Sequence, residues 1–214
     1  MAVSAHWFCG CFVFKPNLMK KGLIIAAALL VVLGGLIWWC MGAYNGMVAG
    51  EENVAKAWSN VENQYQRRAD LIPNLVSTVK GYATHESSTL EKVVEARAKA
   101  TSTTIDVSNL DEASLARFQA AQGELSQALG RLLAVTENYP DLKANQNFLE
   151  LQAQLEGTEN RIATERGRYN DVARNFNVQI RRFPAVLVAG MGGFTKKPYF
   201  QAEQGTQSAP KVEF

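Results

Sequence analysis

Beyond Cys40 the chain has no cysteine, and its two histidines are His6 and His85. The segment after residue 40 therefore can form neither an internal disulfide nor a thiolate metal site, so its stability has to come from packing. A lone histidine without a thiol excludes a Cys/His nucleophile pair and leaves no base for a Ser/His/Asp set. Cys9 and Cys11 in an N-terminal tail would only half-fill a tetrahedral metal site. His85 and Glu86 open like a zinc-protease helix, but Thr89 stands where the second histidine belongs. Strand signals are equally scarce, since the one β-rich run, 185–188, is short. Residues 190–193 are glycine-rich but lack the spacing and the preceding strand of a dinucleotide loop. No cofactor, metal or nucleic-acid partner is expected. Three of the 22 basic residues and none of the 20 acidic ones precede residue 44, which leaves 19 against 20 for the remainder. Such a balance reads as solvated helix faces, not as a nucleic-acid surface.

What is present first is an apolar run. Residues 22–43 carry no charge. At ~1.5 Å per residue they are long enough to cross a ~30 Å hydrocarbon core as a helix. A cleaved signal peptide usually has an apolar region of only ~7–15 residues followed by small residues. Cys40-Met-Gly42 is a poor version of that cleavage site, and the bulky Ile37, Trp38 and Trp39 do not suit a lipid-modified Cys40. Trp38, Trp39 and Tyr44 instead fit an interfacial aromatic belt. Lys15, Lys20 and Lys21 precede the run, whereas Glu51 and Glu52 follow it with no basic residue before Lys56. The positive-inside rule then places the N-terminus in the cytoplasm and the rest outside. Ala28, Gly35 and Gly42 fall seven apart and offer a small-residue face for helix association. Residues 1–18 show no periodicity, and Met19, followed by two lysines, reads as a natural start.

From residue 44 the pattern is helical. Trp58, Tyr65, Ile72 and Val79 recur every seven residues, with Val54, Val61, Leu75 and Tyr82 interleaved, and no Gly or Pro interrupts 51–72. Arg68 breaks that stripe. A long final helix, capped by Asp141, carries Phe148, Leu155, Ile162, Tyr169, Phe176 and Phe183 at the same spacing, and the two helices should lie side by side. Both stripes are charged or polar at mid-height, which predicts an ion-pair layer between Arg67/Arg68 and Glu159/Glu165 that fixes register. A catalytic carboxylate pair there is the less favoured alternative. Pro73 should perturb the first helix, and Gly81 with the Ser88/Glu91 box marks a break near 81–88. A second segment covers 90–100 and gives way to a loop at 101–104. Asn109 reads as the cap of a third helix bearing Leu115, Phe118, Leu125, Leu129, Leu132 and Tyr139, closed by Pro140.

After Pro184 the periodicity ends, so 185–214 reads as a non-helical tail. Its apolar content is too high for a free terminus. Phe194, Tyr199, Phe200 and Phe214 are therefore expected to dock, on the bundle or on a neighbouring subunit in preference to the membrane.

Several segments together carry a family likeness: Tyr44-Asn45, Ala57-Trp58-Ser59, residues 64–75, Val79 to Tyr82, Tyr139 to Lys143, Thr158 to Ile162, Tyr169-Asn170 and Pro210 to Phe214. Over 44–214 the chain resembles the bacterial LemA family, while residues 1–18 have no counterpart in that pattern. The resemblance implies a single-pass membrane protein with a helical bundle and no established enzymatic activity, in a family often encoded near membrane proteases. The expected architecture is all-α: a tail (1–18), a transmembrane helix (19–43), an antiparallel bundle of long helices (44–184) and a C-terminal tail (185–214). The expected function is a self-assembling envelope scaffold, not an enzyme, whose partners are the lipid bilayer, copies of itself and other envelope proteins. The alternative is an accessory or adaptor of a membrane protease, or a cryptic enzyme.

Overall fold

The computed structural model describes residues 16–83, 85–107 and 110–201, with side chains from residue 21 onward. Its helices are α1 (Pro16–Lys80), α2 (Ser87–Ser102), α3 (Glu112–Thr136), α4 (Pro140–Lys143), α5 (Gln146–Arg181) and α6 (Ala185–Gly192). No strand occurs among the described residues. The chain divides into two units, Met1–Ala43 and Tyr44–Phe214. In the first unit, residues 21–39 all expose their side chains, and α1 contains a stretch long and apolar enough to cross a membrane.

In the second unit α1 and α5 run antiparallel, with their stripes face to face. A Cβ built on Gly50 would lie 3.0 Å from the Phe176 ring. Trp58 meets Tyr169 with ring centroids 5.7 Å apart. Farther along α1, Arg68 reaches Glu159 at 2.6 Å, and just past its end the Tyr82 hydroxyl accepts from Asn145 at 2.9 Å. Each step forward on α1 is thus matched by an equal step back on α5. The α1 stripe is buried from Val54 to Val79, whereas Tyr82 lies beyond the helix end and is exposed. On α5, Phe148 to Phe176 are buried but Phe183 is 82 % exposed. A straight helix drifts ~20° per heptad, and α5 ends at Arg181, so Ala173 and Ile180 take the inward positions instead.

Local chemistry moves several expected boundaries. The cap of α2 is Glu86, without a side-chain bond, and Ser88 lies inside the helix. Thr101 and Ser102 extend α2 because their hydroxyls donate back to the carbonyls of Arg97 and Lys99. The cap of α3 is Asp111, whose carboxylate accepts from Ser114 N at 2.7 Å while Ser114 Oγ accepts from Asp111 N. Asn109 lies outside the described residues, and Tyr139 and Pro140 fall beyond the end of α3. The single helix expected from Asp141 is instead two. Pro140 opens the four-residue α4, the chain turns at Ala144, and Asn145 caps the 36-residue α5 by accepting from Phe148 N. The first part of the expected extended tail is helical: 185–192 form α6, docked through Ala189 into the cluster that holds Met47. Gly193, at φ 74°, supplies the left-handed residue that ends α6, and the chain from Phe194 to Gln201 is non-helical.

The core is divided. One cluster gathers Met47, Trp58, Tyr65, Phe118, Ile162, Tyr169 and Phe176; the other gathers Ile72, Val79, Val93, Leu125, Leu132, Phe148 and Leu155. The short α2 gives its buried residues, Leu90 to Ala100, to the second cluster only. In the first cluster Ile105, Val107 and Leu110 from the loop, and Phe194, Tyr199 and Phe200 from the tail, supply the missing wall.

Candidate functional site

A polar layer separates the two clusters. On α1, Arg68 falls between Tyr65 and Ile72; on α3, Gln122 falls between Phe118 and Leu125; on α5, Thr158 and Glu159 fall between Leu155 and Ile162. Arg68 is 1 % exposed. Its Nη1 donates to Glu159 Oε1 at 2.6 Å and to Ser126 Oγ at 2.8 Å, and its Nη2 donates to Gln122 Oε1 at 2.5 Å and to the Gln122 carbonyl at 3.3 Å. Gln122 in turn donates to the Ala100 carbonyl on α2 at 3.4 Å. The guanidinium therefore joins three helices directly and a fourth through Gln122. One residue on, Arg97 Nε donates to the Ala69 carbonyl at 2.7 Å. That carbonyl's helical donor would be residue 73, and proline has no N–H.

Two residues expected in this layer lie outside it. Arg67 is exposed, because neighbours on a helix point about 100° apart and Arg68 already faces the seam. Glu165 sits nearly two turns beyond Glu159, roughly 9 Å along α5, and pairs with Arg168 on its own helix at 2.5 Å. Gln122 and Ser126 were not anticipated. Gln122 interrupts the α3 stripe just as Arg68 interrupts that of α1, and that shared signal would have found it.

The second built feature holds the tail against α5. Asn177 accepts from Lys197 N at 2.8 Å and donates to the Lys197 carbonyl at 2.7 Å. Asn170, seven residues earlier, does the same to Phe200, accepting at 2.8 Å and donating at 3.0 Å. These paired bonds satisfy the main chain as a neighbouring strand would. Tyr169 Oη donates to the Pro198 carbonyl at 3.1 Å. Burial pushes that hydroxyl far above the ordinary tyrosine range, with a smaller push from Tyr199, so it stays a donor at any physiological pH. Phe200 stacks on Trp58 at 5.7 Å and meets Tyr169 edge-on at 5.3 Å. Lys197 is 2 % exposed, and its Nζ lies 2.7 Å from Glu51 Oε1 on α1. Tyr199 accepts from Asn177, and Phe194 packs on Tyr44 with centroids 5.5 Å apart. Phe214 lies outside the described residues.

Ala28, Gly35 and Gly42 are exposed along α1, and a Cβ on either glycine would meet nothing within 4 Å. Among the described residues no three His, Cys, Asp or Glu side chains converge, and His85 is exposed. A groove of about 550 Å3 between α1 and α5 is lined by the amides of Asn53, Asn60, Asn175 and Gln179 and by the charged Lys56, Glu165, Arg168 and Asp171.

A protein-family model described as the LemA family matches residues 57–214. The chain belongs to the LemA family. It is similar to Magnetosome protein MamQ 1 of Paramagnetospirillum magneticum, 28 % identical over 205 residues that cover 87 % of this chain and 75 % of the relative. It is also similar to Protein LemA of Metamycoplasma hominis, 25 % identical over 201 residues, with 89 % of this chain and 88 % of the relative covered. Neither relative's name states a reaction. With its apolar N-terminal helix, this LemA-family chain is a membrane-associated helical protein.

Proposed function

We propose that this LemA-family protein is a self-assembling scaffold of the bacterial envelope, without catalytic activity of its own. It spans the cytoplasmic membrane once through residues 22–43, with the N-terminus in the cytoplasm and the bundle outside. The observation that carries this reading is how the buried polar groups are used. Arg68, Gln122, Asn177 and Lys197, with the half-buried Asn170, bond to other side chains of the bundle and to main chain, and none of them lines the groove between α1 and α5. The orientation rests on Lys20 and Lys21 before the span and Glu51 and Glu52 after it. The small-residue face at Ala28, Gly35 and Gly42, exposed along α1, favours copies of this chain, with other envelope proteins, as partners.

The test is the mass of the detergent-extracted particle, together with reporter fusions at each terminus. A homo-oligomer with its C-terminus outside the cytoplasm is the expected result. A monomer that grows only when a membrane protease is co-extracted would replace the scaffold with an accessory role. If Gly35→Leu leaves an oligomer's size unchanged, the bundle and not the span assembles it.

A further inference from the structure

Residues 183–195 contain no charge, and they are bounded by Arg181 and Arg182 on one side and Lys196 and Lys197 on the other. Within this stretch α6 has two different faces. Ala189 is buried, and Ala185 and Val188 pack beside it on the cluster that contains Met47. On the other face Leu187 and Met191, four residues apart, are exposed by 63 % and 91 % with Val186 alongside them, and Phe183, in the turn ahead of the helix, is 82 % exposed. Exposed apolar side chains gathered in so short a stretch call for an apolar partner.

The position of α6 identifies that partner. Its last residues touch α1 at the first residue after the apolar run: a Cβ on Gly192 would lie 3.1 Å from the Tyr44 ring, and Phe194 packs on the same ring. Met47, which shares a cluster with Ala189, is four residues beyond Ala43. An exposed apolar helix fixed to Tyr44 is thus tied to the chain where the aromatic belt of Trp38, Trp39 and Tyr44 meets the membrane–water boundary. The exposed cations Arg181, Arg182 and Lys196 around it suit anionic headgroups.

We propose that α6, with Phe183 ahead of it, is an interfacial foot whose Phe183, Leu187 and Met191 insert among the lipids. The foot holds the bundle against the bilayer, so the protein has a second membrane contact besides its anchor. This rests on the reading that 22–43 spans the bilayer.

The test uses the full chain with Cys9, Cys11 and Cys40 changed to serine, reconstituted in phosphatidylcholine–phosphatidylglycerol vesicles. A spin label is placed at Leu187→Cys, at Met191→Cys or at the exposed Glu150→Cys near the start of α5. Oxygen concentrates in hydrocarbon and a nickel chelate stays in water, so the ratio of their relaxing effects reports depth. The labels at 187 and 191 should show a ratio several-fold above that at 150, unchanged on dilution with unlabelled protein. Ratios equal to that at 150 would overturn the proposal, as would spin–spin broadening at 187 or 191 that disappears on dilution, because a second copy would then cover the stripe. A protein that fails to float with the vesicles after an alkaline wash would remove the span itself, and the foot with it. A foot that fails on a protein that floats leaves the span standing.

Discussion

Arg97 on α2 donates to the carbonyl of Ala69 on α1, the carbonyl that Pro73 leaves without a helical donor. The proline defect and the arginine are one device, since the missing intrahelical bond is replaced by one that ties two helices together. Arg97→Ala should therefore cost about 1–3 kcal/mol by orphaning a partly buried acceptor. Pro73 is exposed, so Pro73→Ala can restore the α1 bond without disturbing the core. In that background the cost of Arg97→Ala should fall to a few tenths of a kcal/mol, in the range of an ordinary surface change. Urea titration of the four proteins, read by Trp58 fluorescence and circular dichroism, gives the coupling directly. Additive effects would separate the two residues.

The polar layer is unequal. Arg68 is buried, but the Glu159 side chain is 45 % exposed and can be hydrated. Arg68→Ala should destabilise by about 2–5 kcal/mol through the cavity it leaves and the loss of Gln122's partner. Lys56→Ala, at an exposed position, should stay within about 0.5 kcal/mol. Arg68→Met fills the same space without a charge and should recover the larger part of the loss. Equal midpoints for Arg68→Ala and Lys56→Ala in the same titration would show that the layer contributes nothing.

The tail clasp predicts a local effect. Asn177→Leu removes two bonds to Lys197 and one to Tyr199. Trypsin should then cut after Lys196 about tenfold faster or more, a factor that corresponds to ~1.4 kcal/mol of lost local stability. Asn170→Leu should act in the same direction. Asn160→Leu, on the exposed face of α5, should leave the rate unchanged.

Hydrogen bonds from Ser114, first through its side chain and then through its main chain, hold the Asp111 carboxyl below its ordinary value of 3.8. A carboxyl depressed in the folded state stabilises above its unfolded pKa, and that contribution is lost as the pH falls through the lower folded value. The stability gap between the native chain and Asp111→Ala should therefore be constant near neutrality and close below about pH 4. In Ser114→Ala the Asp111 titration should move up toward the ordinary value, which carboxyl NMR can follow.

How much of this could be read in the sequence differs from element to element. The heptads of α1 and α5 gave the antiparallel pair, since a stripe every seven residues has one way to be buried. Arg68 could be singled out because it breaks such a stripe. Gln122 breaks the α3 stripe in the same way and could be singled out too, but its pairing with Arg68, and Ser126 altogether, carry no signal, because nothing in sequence spacing says which face of α3 meets α1 at which height. The Asn170 and Asn177 clamps were hidden for another reason. They bond to main chain, which carries no residue signature, and their own spacing looks like ordinary helix polarity. Phe183 and α6 depart from the sequence pattern because α5 ends at Arg181, before the last heptad position, and Gly190 and Gly192 lie inside a helix instead of breaking one.

The divided core sets an order of assembly. The cluster containing Ile72, Leu125 and Phe148 draws on residues 72–155, so it can close without the chain beyond them. The cluster that begins at Met47 needs Phe176, Ile180, Ala189 and Phe200, which come near the end of synthesis. Its α1 side is the first part of the bundle to be synthesised and the last to be covered, and this long separation makes it the slow step. During that interval Trp58 and Tyr65 have no aromatic cover from α5 or the tail. A chain truncated before residue 170 should hold its distal half folded and leave its proximal half uncovered.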